Sequence, residues 1–220
     1  MERVKVWDLP TRLFHWAVVA CVIGSWVSVE LLEDLQWHQR FGLTLIGLLV
    51  FRLLWGFVGS TTARFARFLR GPRAALAYLR GWFRGEAGKY TGHNPLGGWS
   101  VMALLLLLAG QAGLGLFAND ELFFEGPLAS LVSSSLSNRL TGIHETLFNV
   151  LLAVIVLHVL AAVVYLVRGD NLIWPMIIGS KRADRTGEPP ARSLRFAGPL
   201  AFLVTAALAG AAVWGLLQIG

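Results

Sequence analysis

The chain has 220 residues, of which 55% are apolar and only 15% are charged, and its formal net charge is +6. Its mean hydropathy is +0.62, far above that of a soluble globular domain. These values exclude a disordered or collagen-like chain and predict an all-α integral membrane protein. The single cysteine, Cys21, excludes an intrachain disulfide, a Cys-x-x-Cys-His haem attachment and a four-thiolate metal site.

Five stretches of the chain are long and apolar enough to cross about 30 Å of hydrocarbon as helices of about 20 residues. These predicted spans lie at residues 13–32, 38–58, 96–117, 143–167 and 196–217. The first is interpreted as a mature span rather than a signal peptide, because it is long, contains tryptophan and reaches an acidic turn without a cleavage site.

Basic residues are distributed unequally on the two sides of these spans. Of the 19 Lys and Arg residues, sixteen lie on one side, two lie on the other, and Arg52 lies inside the second span. The positive-inside rule therefore predicts a cytoplasmic N-terminus and a periplasmic C-terminus in the inner membrane of a bacterium. Because topology accounts for the positive charge, no nucleic-acid partner is expected.

The chain divides into three predicted regions. Residues 1–180 form a membrane domain of four spans, residues 181–195 form a cytoplasmic linker with a polar, Pro-rich stretch, and residues 196–220 add a fifth transmembrane helix. Within the first region, residues 63–85 interleave arginine with aromatic and aliphatic residues. This pattern predicts a helix on the membrane surface that contacts lipid headgroups, with docking of a partner protein as the alternative.

Histidines occur at matched positions in the predicted spans. His144 and His158 are 14 residues apart in the fourth span, an interval over which an ideal helix turns about 1400° and rises about 21 Å. They therefore point from one helical face at opposite depths. The topology puts His15 at the depth of His158. It likewise puts His38 at the depth of His144. Two such pairs predict two noncovalent b haems, each with two axial imidazoles.

Each histidine also has a simpler interpretation. His38 and His144 are compatible with ordinary interfacial side chains, and His15 with a hydrogen bond to a carbonyl group of a neighbouring helix. His158 lies within hydrocarbon, where ionisable groups usually face a functional interior. A zinc or iron ion held directly by these side chains is disfavoured, because the two pairs are too far apart to share one ion and no acidic ligand lies within the spans.

Three further residues are predicted to bind the cofactors. Arg52 follows His38 by 14 residues, so it lies on nearly the same helical face at the level of the inner haem. It is predicted to pair with a haem propionate, and snorkelling to the inner headgroups is the alternative. Arg12 is a weaker propionate candidate. Gly42, four residues after His38, leaves room either for a flat macrocycle or for close helix packing.

Two other polar residues near the predicted haems have open roles. Gln111, in the third span, is interpreted as a hydrogen-bond partner of another helix or of a quinone. His93 precedes Asn94 and Pro95, which are typical of a helix start. His93 is therefore interpreted either as a capping or surface residue or as a residue near a haem propionate or a quinone.

Four motifs, in order, carry a resemblance to a known family. WDLPTRLFHW at 7–16, FRLLWGFVGS at 51–60, GHNPLGGWS at 92–100 and NLIWPMIIG at 171–179 resemble the bacterial cytochrome b561 family, which is related to the b-type cytochrome subunits of nickel–iron hydrogenases. The likeness covers roughly residues 4–180.

The resemblance implies a four-helix haem bundle with two b haems, which exchanges electrons between the membrane quinone pool and a redox partner. It implies axial roles for the histidines that phase and depth already pair, namely His15, His38, His144 and His158. The additional fifth helix departs from a minimal four-helix member of that family.

The predicted function is therefore electron transport in a respiratory chain. The protein is predicted to be an iron-containing cytochrome that contacts membrane lipid and binds quinone. Whether it acts as a quinol or quinone oxidoreductase is left open. The redox partner is either a cytochrome c, which the acidic outer loop at 119–139 would suit, or a dehydrogenase- or hydrogenase-type subunit. The alternatives are a proton or metal-ion transporter that uses the membrane histidines, which would lack the usual intramembrane carboxylates, and a passive anchor subunit.

Overall fold

The structure is a computed structural model that describes residues 3–182 and 194–219. The α-helices in this part are α1 (Leu9–Glu30), α2 (Leu35–Val58), α3 (Phe65–Phe68), α4 (Pro72–Arg84), α5 (Pro95–Gly115), α6 (Ser134–Val167), α7 (Ile173–Ile178) and α8 (Pro199–Leu216). Two 3-10 helices cover Thr61–Ala63 and Ala129–Leu131, and strands β1 (Arg3–Lys5) and β2 (Ser180–Arg182) pair antiparallel. The Pro-rich part of the predicted linker, residues 184–193, lies outside the described residues.

Five of these helices are long and apolar enough to cross a membrane, namely α1, α2, α5, α6 and α8. The prediction of an all-α membrane protein with five spans is confirmed. Four helices begin earlier than predicted, namely α1 at Leu9, α2 at Leu35, α5 at Pro95 and, by the widest margin, α6 at Ser134. With 34 residues, α6 is about 51 Å long, so its polar first turns extend beyond the hydrocarbon.

Three of the spans begin at a side chain that caps the helix. Asp8 accepts a hydrogen bond of 2.8 Å from the Thr11 N–H at the start of α1. Asp34 accepts hydrogen bonds from two backbone N–H groups at the start of α2. Asn94 accepts one of 2.7 Å from the Gly97 N–H at the start of α5, as the sequence predicted. Each cap satisfies backbone donors that have no partner within the helix.

The arginine-rich segment 63–85 forms two helices, α3 and α4, rather than one. Pro72 opens α4 at its first position, and Gly85 ends it with a φ of 76°. The buried Tyr78 of α4 shares a hydrogen bond of 2.8 Å with the Tyr165 hydroxyl of α6, which also accepts one of 3.0 Å from the Asn94 amide. Burial, followed by this hydrogen bond, raises the pKa of Tyr78 far above its ordinary value, so the phenol stays neutral.

The chain forms two compact units. Unit 1 contains the described residues of Met1–Leu13, Leu53–Ala103 and Val156–Leu203. Unit 2 contains those of Phe14–Arg52, Leu104–Ile155 and Val204–Gly220. The core of unit 2 comes from four helices, α1, α2, α5 and α6, through the buried residues Cys21, Leu45, Leu108, Ala112 and Leu151. This core is almost entirely apolar, as expected for a helix bundle in hydrocarbon.

Unit 1 buries polar groups beside apolar ones. Trp55 of α2 has no exposed surface, and its indole N–H donates a hydrogen bond of 3.0 Å to Asp8 Oδ2. The buried Thr62 hydroxyl donates one of 2.6 Å to the Val6 carbonyl. The backbone N–H of Val6 in turn donates one of 2.8 Å to the carbonyl of Gly179, the residue that ends α7 with a φ of 84°. Hydrogen bonds therefore join the N-terminal segment to the ends of α2 and α7.

The fifth span packs against α2. In unit 2, a Cβ added at Gly47 of α2 would lie 3.2 Å from a methyl group of Val213, so the two helices are in close contact there. In unit 1, the ring of Phe202 meets Trp55 edge to face at 6.5 Å between centroids. Just before α8, the Ala197 N–H donates a hydrogen bond of 3.0 Å to the Ser60 hydroxyl.

The acidic loop between α5 and α6 has a defined conformation in unit 2. Asp120 accepts hydrogen bonds from three backbone N–H groups within the loop. These bonds, above all those from Phe124 and Leu122, hold the pKa of Asp120 below its ordinary value, so the loop keeps its negative charge. The Phe123 side chain at the tip is 97% exposed.

Candidate functional site

Two of the predicted histidine ligands come together in unit 2. His38 lies in the first turn of α2 and His144 lies in the third turn of α6. Their ring centroids are 6.0 Å apart, and the ring planes are 81° to one another. Both side chains are half-buried. Helical phase and matched depth predict that His38 and His144 bind one haem, and that role stays a prediction.

Backbone carbonyl groups orient both imidazole rings. His38 Nδ1 lies 3.1 Å from the Ser25 carbonyl oxygen, and His144 Nδ1 lies 2.9 Å from that of Gln111. Because a carbonyl oxygen only accepts hydrogen bonds, each Nδ1 must carry the proton and donate. The Nε2 atom of each ring is then left with a free lone pair. A hydrogen bond from Nδ1 to a carbonyl oxygen fixes the ring so that Nε2 can bind a metal.

The geometry of the pair fits a bis-imidazole haem. With centroids 6.0 Å apart and no proton on either Nε2, the two imidazole rings would supply two nitrogen ligands to one metal ion. Within residues 3–182 and 194–219, no three side chains of His, Cys, Asp or Glu gather to hold a bare ion. Two nitrogens are too few for a structural zinc site, whereas a porphyrin supplies the four remaining ligands of iron.

Two glycines leave space near these rings. A Cβ added at Gly42, one turn after His38, would meet no atom within 4 Å, so this predicted cofactor-binding residue faces open space. A Cβ added at Gly115 of α5 would lie 3.0 Å from His144 Cε1. The absence of a side chain at Gly115 therefore lets the imidazole approach the backbone of α5.

Gln111 contributes more than its carbonyl group. Its side chain is 9% exposed, and its Oε1 atom is buried without a hydrogen-bond partner in the described part of the chain. A buried amide oxygen that lacks a donor is costly. The hydroxyl group of a bound quinol is a donor that would satisfy it, whereas the oxygen atoms of a quinone only accept hydrogen bonds.

The other predicted axial pair is divided between the units. His15 lies in α1 in unit 2, with its ring edge to face on Trp16 at 5.0 Å between centroids. His158 lies in α6 in unit 1 and is half-buried. The pairing of these two residues stays a prediction from the sequence.

The two predicted propionate ligands differ in their surroundings. Arg52 is only 3% exposed. Arg12 donates a hydrogen bond from Nη1 to the Ile177 carbonyl, and the nearby Gly179 leaves room for its guanidinium group. Arg12 therefore already has a hydrogen-bond partner in unit 1, at the end of α7. This contact is an alternative to the predicted contact between Arg12 and a haem propionate.

Sequence reasoning missed the groups that orient the rings. Ser25 and Gln111 act through main-chain carbonyl groups, which every residue carries, so no side-chain pattern marks them. Gly115 belongs to the stretch AGQAGLG, where small residues indicate close packing but do not identify the neighbour.

We expect Gly115→Val to remove about half of the haem bound per chain, because the branched side chain would displace the His144 ring from its position. Haem content is measured as pyridine haemochrome on the purified protein. Gly113→Val is the matched control, since a Cβ added at Gly113 meets no atom within 4 Å. Equal haem content in the two variants would contradict the assigned contact.

Neither a search of the curated proteins nor one of the solved structures gives a match to the chain. A family model described as prokaryotic cytochrome b561 matches residues 6–179, which is well over half of the chain. It covers the helices that carry all four predicted axial histidines. The chain belongs to the prokaryotic cytochrome b561 family, and is thus a multi-pass bacterial membrane protein and a b-type cytochrome of electron transfer.

Proposed function

We propose that the protein binds two b haems and transfers electrons between the membrane quinone pool and a redox protein partner. The observation that carries this proposal is the His38–His144 pair, with ring centroids 6.0 Å apart and both Nδ1 atoms directed at backbone carbonyl groups. Such a pair has the donor set and the spacing of two axial ligands to one haem iron.

In the site formed by His38 and His144, called the outer site, each residue has a defined role. His38 and His144 would hold the haem through Nε2, while the carbonyl groups of Ser25 and Gln111 keep the Nδ1 protons in place and raise the basicity of the rings. When bound, the haem supplies a one-electron redox centre whose potential depends on these ligands and on burial. Gly42 would leave room for the edge of the macrocycle.

A second haem is proposed from the sequence, with His15 and His158 as its ligands. The support is the helical phase of His158 relative to His144 and the matched depth of His15. Arg52 would pair with a propionate of this haem, and its burial supports an anionic partner inside the protein rather than in the headgroups. Arg12 is the second propionate candidate.

We place the N-terminus in the cytoplasm and the C-terminus in the periplasm of the bacterial inner membrane, following the distribution of Lys and Arg. The partner is proposed to be a soluble cytochrome c or a dehydrogenase- or hydrogenase-type subunit. The negatively charged loop at Asp120 supports a basic partner on the periplasmic side, since opposite charges steer association. A quinone is the proposed small substrate.

The experiment that tests the proposal is a reduced-minus-oxidised spectrum of the purified protein, combined with haem and protein quantification. We expect sharp α and Soret bands of a bis-histidine b cytochrome and two haems per chain. Addition of a short-chain quinol should then reduce the haem. A colourless preparation would overturn the proposal in favour of a transporter or an anchor subunit, and haem that a quinol does not reduce would contradict the quinone substrate.

A further inference from the structure

A cavity in unit 1 is lined by cationic and hydrogen-bonding side chains, with no carboxylate among them. It has a volume of about 50 Å³ and opens to the surface. Its polar lining residues are Thr62, Arg67, Arg70, Tyr90, Thr91 and His93. A cavity needs roughly 10–15 Å³ to hold one water molecule. This cavity therefore has room for about four water-sized groups, which is the size of a phosphate.

The inner wall of this cavity is rigid. The His93 ring lies between Trp7 and Phe68, at 4.7 and 4.8 Å between ring centroids. Thr62 is 6% exposed and is fixed by its hydrogen bond to the Val6 carbonyl. Arg67 and Arg70, at the rim, are exposed. The site therefore combines a packed base with two exposed cations.

The charge around the cavity favours an anion. Residues 61–85 contain six arginines and no aspartate or glutamate. The nearest acidic residue along the chain is Glu86, which does not line the cavity. Arginine binds phosphate through two parallel N–H donors, so two arginines at one rim suit a phosphate group in particular.

Exposed apolar side chains in the same segment favour an anion that carries acyl chains. Leu69, between α3 and α4, is 36% exposed, and Leu76 and Phe83 of α4 are 48% and 72% exposed. Leu76 and Phe83 are seven residues apart and share one face of α4. The segment lies between two spans, α2 and α5, which puts it where a helix with exposed leucine, phenylalanine and arginine meets the boundary of headgroups and acyl chains.

We propose that this cavity is a binding site for an anionic phospholipid, with the headgroup phosphate held by Arg67 and Arg70 and the acyl chains along Leu76 and Phe83. Tyr90 and His93 provide further polar contacts at its base. The site uses none of the proposed haem ligands, so it does not depend on the proposed function.

The test uses native mass spectrometry of the full-length protein in detergent, titrated with phosphatidylglycerol or phosphatidylcholine. We expect at least tenfold tighter binding of phosphatidylglycerol. The double variant Arg67→Gln/Arg70→Gln should weaken that binding about 30-fold, since each arginine that donates hydrogen bonds to the headgroup phosphate contributes about a factor of five. Both side chains are exposed, so the variant should keep its fold, which circular dichroism checks.

Arg73→Gln is the matched control, because it removes one exposed arginine from the same segment without touching the cavity. We expect it to weaken phosphatidylglycerol binding less than threefold. Equal binding of the two lipids, or a loss in Arg73→Gln as large as in the double variant, would overturn the proposal. Displacement of phosphatidylglycerol by millimolar inorganic phosphate would also overturn it, because it would assign the cavity to a soluble anion.

Discussion

The variant His144→Ala is expected to bind one haem per chain instead of the proposed two. The reason is that His144 would supply one of the two axial nitrogens of the outer haem, and its ring lies 6.0 Å from that of His38 with no other histidine assigned to this site. The α-band absorbance per chain should fall by about half. The measurement is pyridine haemochrome quantification against protein concentration, together with the reduced-minus-oxidised spectrum.

Two further variants separate loss of ligation from loss of fold. His93→Ala should keep both haems, because His93 lies between Trp7 and Phe68 in unit 1. His144→Gly should regain a low-spin spectrum when free imidazole is added, since the small molecule can occupy the space of the missing ring. Retention of two low-spin haems by His144→Ala would show that this residue is not an axial ligand.

The variant Asp8→Ala is expected to lower the free energy of unfolding by about 3 kcal/mol. Asp8 is 4% exposed, caps α1 through the Thr11 N–H and accepts the indole N–H of the fully buried Trp55. Loss of a cap costs about 1 kcal/mol. Removal of the acceptor of a buried donor adds about 2 kcal/mol. Unfolding by SDS in mixed micelles, followed by circular dichroism, measures the difference.

Asp34→Ala provides the control for this prediction. Asp34 also caps a span, but its carboxylate accepts hydrogen bonds of 3.0 Å only from the backbone N–H groups of Gln36 and Trp37. We therefore expect a loss of about 1 kcal/mol in that variant. If both variants lose the same free energy, the hydrogen bond between Asp8 and Trp55 contributes nothing to stability.

The spans could be predicted from the sequence because hydrocarbon imposes length and composition on a helix directly. Their ends could be predicted less well. The first turns of α6, from Ser134 onward, are polar, so a hydropathy pattern does not include them, yet they are helical, and the Ser137 hydroxyl there donates a hydrogen bond to the Phe117 carbonyl. The break between α3 and α4 was missed although Gly71 and Pro72 mark it, because arginine alternates with apolar residues on both sides of it.

The candidate site was predictable as far as helical phase and depth determine it. These two quantities brought His38 and His144 together. They do not determine the direction of each ring, which depends on the main-chain carbonyl groups of Ser25 and Gln111. They also do not determine close approaches between helices, such as that of Gly115 to His144, because those depend on how side chains interlock.

Strands β1 and β2 were not predicted at all. Each has three residues, too few to show an alternating pattern, and Arg3 pairs with Arg182, which lies beyond the opposite end of the region that matches the family. No local signal connects segments so distant in the sequence.

The pairing of β1 with β2 has a consequence for biosynthesis. Residues 3–5 leave the ribosome before the spans, but their partners at 180–182 emerge only after α1, α2, α5 and α6 have been made. The Gly179 carbonyl that receives the N–H groups of Val6 and Trp7 arrives equally late. Residues 3–7 therefore cannot form these hydrogen bonds until the four helices have been made, and unit 1 reaches its final arrangement only after that point.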